Sequence, residues 1–252
     1  MSTPKAPTSK VTACRVLYED AHVIAVHKPA GVLSHPNNPR WVPGHNCAFE
    51  GTYEFADRRF ETPHGVLWLI HRLDQDASGV LLAAKDRESM QKMRKIFEDN
   101  RIEKDYVVLL AGVIRPAKGT WRDALEEKRI DGKIRASVLK SGKPNSELHY
   151  SAKENFVYAG EPLTLVQIQL VSGRTHQIRV QSAYRGMPVA GDDIYGRFTL
   201  NRRLKKDGIL KRLFLHAFRL SFHHPTTGRK LEILDPLPED LESALGKLQK
   251  RR

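Results

Sequence analysis

Along most of the chain, hydrophobic residues fall in short runs separated by turn residues, which is the pattern of a β-rich protein. Val16-Leu17-Tyr18, the turn pair Glu19-Asp20 and Val23-Ile24-Ala25-Val26-His27 read as strand, turn, strand. The unbroken apolar run Val80-Leu81-Leu82-Ala83-Ala84 predicts a buried strand, and further strands are expected at 105–110, 147–151, 163–170 and 213–222. In 163–170, Val166, Ile168 and Leu170 alternate with Gln167 and Gln169, the signature of a strand buried on one face. Turn residues punctuate these runs at Gly132, Gly142-Lys143-Pro144 and Gly160-Glu161-Pro162.

Three stretches carry helical spacing instead. Asp86 is placed to cap a helix with Met90, Met93 and Phe97 on one face, ending near Asn100. A second helix is expected over 175–184, stopped by Gly186. A third is expected over 238–250, with Leu241, Leu245 and Leu248 in one stripe behind Pro238. Because turns rather than long helices separate most strands, the expected class is α+β, with a central mixed, largely antiparallel sheet flanked by helices and loops. No internal repeat is evident.

Residues 1–12 are rich in Ser, Thr, Pro and Lys and read as a disordered basic leader, too short for a recognition module of its own. One domain is expected over 13–252, and the weakly periodic, Pro- and Asn-containing stretch 36–63 reads as an insertion or lid. No apolar targeting segment and no run of ~18 apolar residues occurs, which argues against membrane insertion. The two cysteines, Cys14 and Cys47, have no zinc-type spacing and suit a reducing cytoplasm.

Charge narrows the partner. The 252 residues hold 42 Lys and Arg against 29 Asp and Glu, a net charge of +13, and part of the excess is clustered at 202–206 and 211–212. Such a balance is the electrostatic footprint of a protein that meets nucleic acid.

Two clusters carry candidate chemistry. In His71-Arg72-Leu73-Asp74-Gln75-Asp76-Ala77-Ser78-Gly79, a carboxylate sits two residues from an arginine on a loop before a buried strand. That suits an acid held beside an anionic substrate, and equally an ordinary surface ion pair. In Ser172-Gly173-Arg174-Thr175-His176-Gln177-Ile178-Arg179, two arginines and a histidine stand where a helix begins, an arrangement suited to an anion, with His176 and Arg179 on one helix face. His35, His45, Cys47, His64 and the pair His223-His224 show no ligand spacing on a helix, so no metal is expected.

Taken in order, Lys28-Pro29-Ala30-Gly31 with His35-Pro36, the HRLD run ending in Ser78-Gly79, Lys104-Asp105-Tyr106, Gly173 to Arg179, and Gly191-Asp192-Asp193-Ile194-Tyr195-Gly196 resemble the RluA-type pseudouridine synthases. Leu215-His216-Ala217, His224-Pro225, Thr227-Gly228 and Pro236-Leu237-Pro238 continue the similarity over about residues 15 to 240.

The resemblance implies the pseudouridine synthase fold and isomerisation of uridine in structured RNA, without metal or cofactor. It implies Asp74 as the catalytic carboxylate, Arg179 as the cation paired with it and Tyr106 as the ring stacked on the target base. A base in a folded stem must leave the stack to react, at a cost of ~ a few kcal/mol. Arg72 matches the residue that fills the vacated space, and Leu215 a wall of the uracil pocket, which a core leucine would also explain. His71, Arg174 and His176 complete the expected substrate-binding set. Ala77 departs from the family's usual Thr, removing a hydroxyl worth about 1 kcal/mol to the loop.

Two other activities remain open at this point. A noncatalytic RNA-binding or RNA-chaperone protein would keep the basic surface without needing Asp74, and a glycosylase would release free uracil. The family acts on ribosomal or on transfer RNA stem-loops, and the expected state is a monomer.

Overall fold

The structure is a computed structural model and describes residues 12, 14–37, 46–130 and 133–250. Apart from Thr12, the leader expected at 1–12 lies outside the described residues, as do Gly132 and the part of the 36–63 stretch that holds Arg40 and Trp41. The chain forms two compact units, Met1–Glu103 with Ala217–Asp235, and Lys104–His216 with Pro236–Arg252. Strands and helices are numbered along the chain.

In the first unit, β1 (Val16–Glu19) and β2 (Val23–Lys28) form the expected antiparallel hairpin. Its turn is fixed by Asp20, whose Oδ1 accepts the amides of His22 and Val23, each at 2.8 Å. β2 pairs with β6 (Ser78–Ala84), every residue of which is buried, as its unbroken apolar run requires. The helix expected after it is present as α1 (Arg87–Glu98), with Asp86 at its N-cap accepting from the Ser89 amide at 2.7 Å. Its apolar face, Met90, Met93 and Ile96, packs on Val23, Ala25, Val80, Leu82 and Ala84 of the sheet. Phe222 of β13 (Leu215–His223) and Ile233 of β14 (Lys230–Leu234) join the same core, and these two strands pair antiparallel.

The stretch read as aperiodic contains regular structure. β3 (Thr52–Glu54), β4 (Arg59–Thr62) and β5 (Gly65–Leu69) form an antiparallel meander whose last strand pairs with β6 through Trp68–Ala84 and Leu69–Ala83. Tyr53 and Phe60 point inward while their neighbours are polar, but strands of three and four residues are too short to establish a period of two.

In the second unit, β7 (Glu103–Leu110), β12 (Glu161–Leu170), β11 (Ser146–Tyr158) and β8 (Lys118–Asp123) pair antiparallel in that order. β9 (Leu125–Ile130) and β10 (Lys133–Val138) make a separate hairpin. Leu163 of β12, Leu109 of β7 and Phe156 of β11 form a core with Leu200 and Leu204 of α3 (Phe198–Lys206) and Leu241 of α4 (Glu239–Gly246). The alternation read at 163–170 is seen in β12, where Val166, Ile168 and Leu170 are buried and both glutamines are half-buried.

The helix expected over 238–250 is shorter: α4 ends at Gly246, and Gln249–Lys250 instead form β15, paired with Val157 and Phe156. Leu248 is buried in the same core from outside the helix, so an apolar residue at helical spacing does not prove that the helix continues. The class is α+β, and its strand pairings among the described residues are largely antiparallel, with one isolated parallel bridge between Leu33 and Cys47.

Candidate active site

His71, Arg72 and Asp74 belong to the first unit; Tyr106, Arg174, His176, Arg179 and Leu215 belong to the second.

The loop bearing Asp74 is fastened at several points. Ser34 Oγ accepts from the Leu73 amide at 3.0 Å and donates to the Leu73 carbonyl at 2.9 Å, which pins the residue before Asp74. On the other side, the Gln75 carbonyl accepts from the Gly31 amide at 2.8 Å and from Lys28 Nζ at 3.0 Å. Lys28 is fully buried, and its ammonium also donates to the carbonyls of Pro29 at 2.9 Å and Val32 at 2.8 Å. A buried ammonium needs such partners, and these three are backbone carbonyls. The Lys-Pro-Ala-Gly motif therefore serves as a clamp on the residue beside Asp74.

Two further ties fix the ends of the loop. His71 Nε2 accepts from the Leu82 amide at 3.1 Å, which leaves that nitrogen without a proton, and the ring stacks on Phe97. Gly79 has φ +127, and a Cβ there would lie 2.3 Å from the Ala217 carbonyl oxygen, so no other residue fits. Within the loop, Ala77 is buried and its amide donates to the Asp74 carbonyl at 3.2 Å, so the turn closes without the hydroxyl that threonine would supply. Asp74 itself is half-buried and Arg72 exposed.

In the second unit, Tyr106 lies on β7 opposite Ile168 and is 8% exposed. Two residues before it, Lys104 is buried, and burial pushes its ammonium down to about 8. Its Nζ would stand 3.6 Å from a Cβ on Gly173, which places this cation beside the loop that opens α2 (Gln177–Tyr184). Lys104 entered the sequence motif only as a neighbour of Tyr106; nothing in its spacing marked it as a perturbed amine.

That loop is organised by Gln177, whose Oε1 accepts from Ser172 Oγ at 2.9 Å and from the Arg174 amide at 3.1 Å. Its Nε2 donates to the Glu147 carbonyl at 3.0 Å. The helix begins two residues later than expected. His176 precedes it in the left-handed region, with φ 53, so His176 and Arg179 do not share a helix face. They meet instead at Tyr195, whose hydroxyl is 3.0 Å from His176 Nδ1 and whose ring lies under the Arg179 guanidinium at 5.5 Å.

Arg179 departs from the anion site read at the helix start. Its side chain is buried and forks onto Asp192, with Nε to Oδ2 at 2.7 Å and Nη2 to Oδ1 at 2.8 Å. The amides of Ile194 and Tyr195 also donate to Oδ1, at 2.8 and 3.0 Å. Burial raises the Asp192 pKa, but the Arg179 guanidinium and the two amides outweigh it and hold the carboxyl below its usual range. Arg174, by contrast, is exposed and donates from Nε to the Asn145 carbonyl at 3.1 Å. Leu215 is buried at the start of β13.

The sequence-wide similarity agrees with these motifs. Residues 22–184 match the family model described as RNA pseudouridylate synthase. The chain belongs to the RNA pseudouridylate synthase family. It is 37% identical over 239 residues to ribosomal large subunit pseudouridine synthase C of Escherichia coli (strain K12), covering 94% of this chain and 70% of that protein. The protein of the same name from Pasteurella multocida (strain Pm70) is 36% identical, with 94% and 69% covered. Among solved structures, human RNA pseudouridylate synthase domain containing 1 superposes with a TM-score of 0.69 at 24% identity, over 97% of this chain and 91% of that one. Human RNA pseudouridylate synthase domain containing 4 gives 0.65 at 21% identity, over 94% of each. The two structures share the fold. As a family member, the chain is an RNA pseudouridine synthase, which isomerises uridine in RNA to pseudouridine.

Among the described residues, no group of three or more His, Cys, Asp or Glu is placed to hold a metal ion. No described helix is long and apolar enough to cross a membrane.

Proposed function

We propose that this enzyme isomerises uridine in large-subunit ribosomal RNA, with Asp74 as its catalytic carboxylate, and that it works as a monomer in the cytoplasm. The observation that carries the substrate is the identity, over 94% of the chain, with relatives named for the ribosomal large subunit. Free thiols at Cys14 and Cys47 suit a reducing compartment.

The chemistry asks little beyond positioned acids and bases. The bond from ribose C1′ to base N1 breaks, C1′ joins C5 instead, and the C5 proton is lost as N1 gains one. The reaction is redox-neutral and needs no external reactant, and a carboxylate can assist it and depart unchanged. Its value depends on being held in one geometry, which the Ser34 and Lys28 bonds on either side of Asp74 support. Tyr106 is assigned the base-stacking role, Arg179 the support of the charged carboxylate, and Arg72 the filling of the space that the flipped uridine leaves. Arg174, His176 and His71 are assigned to the substrate side, with Leu215 against the uracil.

The purified protein should release tritium from [5-³H]uridine-labelled large-subunit RNA transcript and not from bulk transfer RNA or small-subunit transcript. Release from transfer RNA alone would overturn the substrate. Free uracil as product would indicate a glycosylase. Salt-sensitive RNA binding without any release would indicate a noncatalytic binder.

A further inference from the structure

A cavity of about 250 Å³ opens in the first unit beside the Asp74 loop, between the 53–58 segment and residues 69–72. That is below the ~300–1,000 Å³ typical of sites for drug-sized ligands, and it suits a single planar ring system. One wall is aromatic. Tyr53 stacks on His35 with centroids 5.1 Å apart, and Phe55 stands edge-on to Tyr53 at 4.9 Å. Tyr53 is buried, whereas Phe55 is 36% exposed, so an aromatic ring of the lining is open to solvent.

Two cations stand in the same lining. Arg58 and Arg72 are both exposed, and among the described residues neither is in an ion pair. Their neighbour Arg59 is different: Asp57 and Glu61 hold it at 2.8 and 2.7 Å. Arg58 also sits in the left-handed region at φ 53, which costs a non-glycine residue roughly 1–2 kcal/mol and is maintained only where the surroundings enforce it. No lining residue carries a carboxylate, so the cavity attracts an anion and has no acid of its own for chemistry.

His35 adds a directional contact. Its Nδ1 lies 2.7 Å from the Pro36 carbonyl, which can only accept, so Nδ1 carries the proton and Nε2 of the neutral ring is an acceptor. Burial, reinforced by the charges of Arg72 and Arg58, pushes the imidazole below its usual range and keeps it neutral. An aromatic wall, an acceptor and two uncompensated guanidinium groups together match an unpaired nucleotide: a π-face, an N–H edge and phosphate.

We propose that this cavity is a second nucleobase subsite, which takes an unpaired nucleotide of the RNA substrate other than the uridine that reacts. The ring lies against Tyr53 and Phe55, its N–H edge meets His35, and Arg58 holds a flanking phosphate, while Arg72 stands at the border between this cavity and the space that the flipped uridine leaves. The subsite rests on the RNA reading above and extends it from one flipped base to two.

Two measurements on the full chain test it. In the first, wild-type protein is photo-crosslinked to total RNA and digested, and nucleotide-bearing peptides are identified by mass spectrometry; an adduct on the peptide holding Tyr53 and Phe55 is expected. In the second, Phe55→Ala and Arg58→Asn, chosen because asparagine tolerates the left-handed backbone, are assayed on large-subunit transcript. KM should rise about tenfold, the scale of one lost base stack, with kcat and melting temperature near wild type. Absence of the adduct together with unchanged KM in both variants overturns the subsite and leaves an acidic protein segment as the better occupant. Failure of the wild type on that transcript would contradict the substrate reading alone, because the crosslinking arm uses total RNA and needs no turnover.

Discussion

Lys28 Nζ donates to the Gln75 carbonyl at 3.0 Å, so a fully buried ammonium holds the residue next to Asp74. Replacing it with an apolar residue of similar length leaves the carbonyls of Pro29, Val32 and Gln75 without this donor. Lys28→Met should therefore destabilise the protein by about 2–3 kcal/mol in urea denaturation. Loosening the loop should also lower kcat by ~10- to 100-fold where the fold survives. Ser34→Ala, which removes both bonds to Leu73, should act in the same direction with a loss of about 1–2 kcal/mol. Wild-type kcat in both variants would show that the clamp is irrelevant to the reaction.

Gly79→Ala should be among the most damaging single-methyl changes in the chain. The added Cβ meets backbone of Ala217 at 2.3 Å, and the φ of +127 is one that alanine avoids. A loss of about 3 kcal/mol or more is expected, read as a lowered melting temperature or insoluble protein. Gly31, with φ +83 but open space around it, should tolerate asparagine far better.

These positions also show where sequence patterning succeeded. The all-buried run at β6, the capped helix α1 and the alternation in β12 each satisfy their local rule and their tertiary setting at once, so periodicity alone located them. β3 and β4 escaped because each offers a single inward residue, Tyr53 or Phe60, in too short a run. The Asp74 loop was legible as a motif, but its clamp was not: Lys28 and Gln75 are 47 residues apart, and a lysine reads as surface until its burial is seen. Asp192 was likewise quoted in a motif without being recognised as the carboxylate that holds Arg179, a contact across 13 residues.

Asp192→Asn should cost about 3 kcal/mol, because it removes the charged half of a buried bidentate pair. The pH dependence carries a sign. The folded carboxyl has a lowered pKa, so its contribution is present above the ordinary Asp value of ~3.9 and is lost as pH falls through the folded value. The stability gap between wild type and variant should be flat from pH 7 to about 5 and shrink below about 4. A gap that grows on acidification would contradict the pairing as the source of the effect.

Arg174 and Arg179 should separate cleanly. Arg174 is exposed, so Arg174→Ala should leave stability within about 0.5 kcal/mol. If it meets phosphate, RNA binding should weaken and the slope of affinity against salt should fall by about 1. Arg179→Ala should instead lower stability, because Asp192 would lose its bidentate partner. An unchanged salt slope in Arg174→Ala would remove that residue from the RNA-contacting set.

Asp74 is assigned the isomerisation itself, and pseudouridine mapping of cellular RNA puts that role to the test. Cells lacking the gene are complemented with wild type or with Asp74→Asn, the variant's folding being checked by its melting temperature. One or a few pseudouridines in large-subunit ribosomal RNA should be missing without the gene, return with wild type and stay missing with folded Asp74→Asn. Restoration of the same positions by Asp74→Asn would contradict the assignment.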